Sequence, residues 1–190
     1  MTTPSGDTPG NISQVRTIIN ENDLLTTSTT QTYPLGLIIE TQDSNATNST
    51  PSTARKRWQY IYAPNALTMY EPYQIIQSGT AGQKYQTGAF ATSNVSVQVG
   101  IPQIAFPSGG VYGFVQIEGD TTSLVTATTL QVGDFLKAYS ISVALEVDGS
   151  SGSTTLTQNS VAISLAAATS ITSHAESVYL LGSKTPISSS

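Results

Sequence analysis

The sequence predicts an all-β protein, an antiparallel sandwich or small barrel of jelly-roll type with an extended N-terminal arm, and three observations carry that prediction. Charged residues are only 10% of the 190, against roughly 25% in an ordinary soluble domain. In their place stand 28 Thr and 25 Ser; threonine with Val, Ile and Tyr favours strands, while Gly, Ser, Asn and Asp favour the turns between them. Several segments alternate between apolar and polar residues, a period that buries one face of a strand and that a helical stripe does not reproduce.

The elements follow in order. Residues 1–14 hold Pro, Gly, Ser and Thr with little to bury, and read as an arm that is mobile or ordered by a partner. "VRTIINENDLL" sets Val15, Ile18 and Ile19 on one side of a weak helix diluted by Asn and Asp. "YPLGLIIE" is the first strand, and "RKRWQYIYA" is a second, with Trp58, Tyr60 and Tyr62 on one face. The two pair across a long polar loop at 41–53. "NVSVQVG" aligns Val95, Val97 and Val99, and "AYSISVALEV" aligns Tyr139, Ile141, Val143, Leu145 and Val147.

Between them lies "GVYGFVQIEGD". As a strand it places Val111, Val115 and Ile117 on an inward face and Tyr112 and Phe114 on the other, packed on a second layer or on a neighbouring copy. Gly113 leaves room for a close approach, as by an aromatic ring from the facing layer. Gly119-Asp120 is expected to turn the chain back, and Gly133-Asp134 to make a second turn, the spacing of hairpins. "DGSSGST" reads as an exposed hairpin tip, "VAISLA" and "SVYLLG" as the last strands, and 183–190 as a tail. Residues 15–182 therefore form one β domain.

Charge and composition narrow the function. A net charge of −5, from 7 basic and 12 acidic residues, opposes a protein that grips nucleic acid by neutralising phosphates. With no cysteine, disulfides and thiolate chemistry are excluded. The start carries no signal-like n- and h-regions, and no run approaches the ~18 apolar residues of a membrane span. Synthesis in the cytoplasm and no membrane partner are expected. The sequons at Asn11, Asn45, Asn48 and Asn94 are what a Thr-rich chain yields by chance.

Chemistry-bearing patterns are sparse. His174 is the sole histidine and G-x-S-x-G is absent, so a hydrolase triad is not expected. Glu118 and Asp120 are spaced like paired glycosidase carboxylates, but Asp120 beside Gly119 is better read as a turn residue. "GTAGQKY" lacks the Gly-Lys-Ser/Thr ending of a phosphate loop. No catalytic residue, cofactor or metal site is expected. Arg55, Lys56 and Arg57 hold three of the seven basic residues, and together with Trp58, Tyr112 and Phe114 they are the candidate interface residues.

The segments "LGLIIE", "RWQYIYAPNAL", "PYQI", "GVYGFVQIEGDTTSLV", "LQVGDFLKA" and "SVYLLG" resemble small tailed-phage virion proteins of the head decoration or cement type. Those proteins carry a strand G-x-Y-G-[FW]-V-Q-x-x-G, a later aliphatic-x-G-D-x-L turn and a closing apolar strand. The likeness spans about residues 35 to 182, and the Thr- and Asn-rich insert at 41–53 departs from it. It implies no catalytic residues. It implies a location on the virion, binding to the major capsid protein at capsomer junctions of the expanded head, and self-association, with a trimer favoured. Exposed aromatics among Ser/Thr loops favour the alternative of a receptor- or glycan-binding module of a tail fibre or adhesin.

Overall fold

The computed structural model describes Ile19 and residues 21–42, 55–78, 84–88, 98–138, 144–149, 152, 160–169 and 173–182. A single helical turn, α1 (Glu21–Leu24), precedes β1 (Thr27–Ser28), β2 (Ile38–Gln42), β3 (Arg55–Ala63), β4 (Tyr73–Ser78), β5 (Lys84–Gly88) and β6 (Gln98–Gly100). Then come β7 (Val111–Thr126), β8 (Thr129–Leu130), β9 (Phe135–Ala138), β10 (Leu145–Val147), β11 (Ser160–Ser164), β12 (Ala168–Thr169) and β13 (His174–Leu181). The arm at 1–14, the loop residues 43–53, Val95, Val97, residues 139–143 and the tail at 183–190 lie outside the described residues.

The 16-residue strand β7 organises everything else. Its first half pairs antiparallel with β3, from Ala63↔Val111 to Arg57↔Glu118. Its second half pairs antiparallel with β13, from Leu181↔Glu118 to His174↔Val125. The turn expected at Gly119-Asp120 is therefore not there. Gly119 does have the positive φ of a turn glycine, +93°, but it stays in the strand, paired with Leu180 of β13, just past a bulge. Arg57 faces Glu118 while Trp58 faces Gln116, which leaves Ile117 as the extra residue on the bulged strand. A Cβ on Gly119 would lie 2.2 Å from the Arg55 carbonyl oxygen, so the strand passes only because glycine stands there.

The second half of β7 is one stave of a closed barrel, in the order β7-β13-β11-β9-β10 and back to β7. Five strands cannot alternate direction all the way round, and the required parallel contact is β10 to β7, with Leu145↔Val125 and Glu146↔Thr126. Val125, Leu136, Leu145, Ala162, Val178 and Leu180 fill its interior, as side chains fill any small barrel. One expectation is corrected here. The segment 138–147 is not one strand, because Leu145 and Ala138 are antiparallel partners and the chain reverses between them. β10 and β11 lie on opposite sides of β9, and most of "DGSSGST" between them lies outside the described residues.

The first half of β7 belongs to a second, looser ring. β3 is followed by β5, β4 and β6, and Ile101, directly after β6, bridges back to Gln116 through N–H···O bonds of 2.9 and 3.0 Å. Here too one contact is parallel, Tyr62↔Gln86 between β3 and β5. Ile61, Ala63, Ile75, Phe106, Val111, Val115 and Ile117 form the core of this ring, so the aliphatic face of β7 does point inward. The Phe106 ring sits over Gly113, with Cζ 2.7 Å from where a Cβ would stand; the close aromatic approach expected at that glycine is present. The opposite face, with Phe114, is covered by the chain's own N-terminal segment through Leu24 and Tyr33, beside Trp58 and Tyr60.

The Gly133-Asp134 turn forms as expected, with Gly133 at φ +93° and Asp134 N–H donating to the Gln131 carbonyl at 3.1 Å. The strand expected in "YPLGLIIE" is preceded by the two-residue β1 and starts later than expected, at Ile38, because Leu37 N–H closes a turn onto the Pro34 carbonyl at 3.1 Å. It pairs with β3 as its alternation implies.

Candidate functional site

The six candidate interface residues divide into two groups. Trp58 is 6% exposed and Phe114 1% exposed, so neither is available as contact surface. They serve the intrachain aromatic layer: Trp58 Nε1–H donates to Thr41 Oγ1 at 3.1 Å, and the Phe114 ring lies 5.0 Å from Tyr60 and 5.5 Å from Tyr33. Tyr112 is half-buried on the same face, stacked on Tyr60 at 6.3 Å and tilted against Tyr62 at 5.1 Å. Alternation put these rings together, but the segment that buries them is distant in sequence.

Two of the three basic residues are ion-paired within the chain. Arg55 is exposed and its Nε lies 3.4 Å from Glu40 Oε1 on the neighbouring β2. Arg57 Nη1 donates to Glu118 Oε2 at 2.8 Å, across the bulge. Lys56 is half-buried and also has a partner. Glu118 is thereby an ion-pair partner at the junction of the two rings. Tyr179, opposite Asp120 on β13, has its phenol pKa pushed up by burial and by the nearby Glu118 and Asp120 charges.

His174 opens β13, half-buried, with Nε2 bonded to Glu176 Oε1 two residues on. Its neighbour Ser173 bonds Thr126 through the two hydroxyls. Two other acidic residues near turns are buried and hydrogen-bonded within the chain. Asp134, buried, accepts from Gln131 N–H at 2.8 Å and Gly152 N–H at 2.7 Å. Asp148, also buried, accepts from Ser160 Oγ–H at 2.7 Å. Asp148 ties the end of β10 to β11, and the Asp134 bonds fasten loops at one end of the barrel, the turn-satisfying role expected of Asp after Gly.

That end carries apolar surface. Val132 is 66% and Leu165 43% exposed, on two loops tied by Gly133 N–H to Ser164 O and Ser164 N–H to Asp134 O, each 2.8 Å. Ala166 and Ala167 follow Leu165 in the chain. Sequence reasoning missed this patch, because Val132 and Leu165 sit in segments whose pattern alone assigns them to turn and strand.

A second feature also went unread. Asp23, Thr26, Thr27, Ser28, Thr32, Tyr33, Tyr60 and Tyr112 line a small open cleft of about 60 Å³. Tyr33 O–H donates to Asp23 Oδ2 at 3.1 Å, and the Tyr60 hydroxyl oxygen, Oη, accepts from Thr32 N–H at 3.1 Å. Burial, and then the bond to Asp23, push the Tyr33 pKa above its ordinary value. In a chain with this many hydroxyl residues, Thr27, Ser28 and Thr32 carry no signal of their own.

No protein-family model matches this sequence, and no curated protein matches it either.

Proposed function

We propose that this protein is a structural component of a phage virion, a decoration or cement protein that binds the major capsid protein across capsomer junctions and stabilises the expanded head. The reading rests on the resemblance of the G-x-Y-G-F-V-Q-x-x-G strand and its companion segments. The structural observation that supports it best is the barrel end with Val132 and Leu165 exposed on cross-bonded loops. Apolar side chains held on a rigid frame lose little entropy on docking, and interface centres are depleted of charge; Val132, Leu165 and the Ala166-Ala167 pair beside Leu165 carry none.

A standard interface takes about 800 Å² from each partner. Self-association as a symmetric trimer at a three-fold position would let modest contacts act together through their effective concentration. The test is co-sedimentation of the purified chain with expanded and unexpanded heads. Binding to expanded heads alone, lost in Val132→Asp and Leu165→Asp variants that keep their thermal stability, is the expected result. A folded chain that ignores both kinds of head, or variants that bind unchanged, would overturn the reading.

A further inference from the structure

The cleft beneath Tyr112 is built from groups of one chemical kind. Its lining offers a carboxylate, Asp23, and the hydroxyl residues Thr26, Thr27, Ser28 and Thr32, with Tyr33, Tyr60 and Tyr112, and among the described residues that line it there is no Lys, Arg or His. An anion there would meet Asp23 at close range, which Coulomb repulsion disfavours. At about 60 Å³ the space is far below the roughly 300–1,000 Å³ of sites for drug-sized ligands. It matches a head group of a few heavy atoms.

An ammonium fits each of these features. It brings three N–H donors and no acceptor, and the lining brings acceptors. Its charge is attracted by the carboxylate and by the electron-rich faces of nearby tyrosine rings. The Tyr33 hydroxyl holds one carboxylate oxygen of Asp23, so the anion is positioned before a ligand arrives. The raised Tyr33 pKa keeps that phenol a donor throughout the neutral range.

We propose that this cleft receives the ammonium end of a lysine side chain presented by a partner protein. The inference does not depend on the virion reading, since it concerns what the cleft takes rather than which assembly supplies it. Lysine also suits the openness of the site, because its four-carbon stem lets the head group reach in while the backbone stays outside.

The test is an NMR titration of the isotopically labelled full chain at low ionic strength, following the amides of Ser28 and Thr32. Nα-acetyl-lysine methylamide and n-butylammonium are expected to shift these signals saturably and to a similar extent. Butan-1-ol, the neutral counterpart, is expected to leave them in place. Asp23→Asn should weaken binding about tenfold or more while keeping an acceptor for Tyr33. Thr27→Val, which preserves shape on β1, should weaken it a few-fold.

Absence of saturable shifts would overturn the proposal. So would an equal response to butan-1-ol or to potassium chloride, or full affinity in a folded Asp23→Asn variant. Spermidine binding more than tenfold tighter than the lysine derivative would assign the cleft to a free polyamine and overturn the partner-lysine assignment. Head binding that persists while the titration fails would separate this inference from the virion reading.

Discussion

The two halves of β7 share a backbone and differ in what lies on their faces. From Val111 to Ile117 nearly every residue is buried, whereas from Glu118 to Thr126 burial alternates one for one. The first half is the middle of three layers, with the looser ring on one side and the aromatic cluster of Leu24, Tyr33, Trp58, Tyr60 and Phe114 on the other. The second half is a barrel stave with one face in the core and one outward. Ring closure differs too: the barrel closes through two consecutive residue pairs, the looser ring through single ones. A strand can thus be stabilised by a second apolar layer where its ring is thinly sealed, and by hydrogen-bonded closure where it lacks that layer.

The largest effect should come from breaking the point where the halves meet. Gly119→Val forces a β-branched residue into positive φ and drives its Cβ toward the Arg55 carbonyl. A loss of about 3 kcal/mol or more is expected in urea unfolding, with both halves destabilised. Next, Phe114→Ala should cost about 3–5 kcal/mol and Leu136→Ala about 2–5 kcal/mol. Hydrogen exchange separates them: the first should deprotect β3 and the N-terminal segment, the second β9 and β11. Equal deprotection everywhere would mean that the halves do not behave as distinct units.

A smaller effect follows from the buried phenols. Tyr33 and Tyr73 have pKa values raised mainly by burial, and both lie on the looser half. A raised folded pKa means that the unfolded chain releases its proton first. Stability is then intact below about pH 10 and falls as the pH climbs through the range above it. Tyr179 on β13, whose phenol pKa is raised as well, carries the same dependence into the barrel, so amides of β3, β4 and β13 should all lose protection as the pH climbs past about 10, and unchanged protection in alkali would count against these phenols as the cause. The smallest effect is expected at Arg57 and Glu118, whose side chains remain 38% and 32% exposed. A double-mutant cycle with Arg57→Gln and Glu118→Gln should give about 0.2–1 kcal/mol of coupling, fading with salt.

The all-β class and the inward face of β7 were legible because alternation is a local signal. The aromatic face was legible as a face, but its cover was not, since Leu24 and Tyr33 lie some 80 to 90 residues before Phe114 in a stretch with weak periodicity. Gly-Asp misled at 119 and succeeded at 133 for a related reason. Both glycines take a φ of +93°; whether such a residue makes a turn or continues a strand depends on the strands beside it. At 119 these are β3 and β13, drawn from opposite ends of the chain. The cleft around Asp23 was not legible, because its hydroxyl residues come from one of many Thr- and Ser-rich segments.

One unbroken strand belonging to both rings has a mechanical consequence. A pull applied to the barrel end near Val132 would reach the aromatic layer through peptide bonds and staggered cross-strand bonds loaded in shear, without passing through a flexible joint. Bonds strained together along their row resist more than bonds opened one after another, so this arrangement resembles a lap joint running through the middle of the molecule.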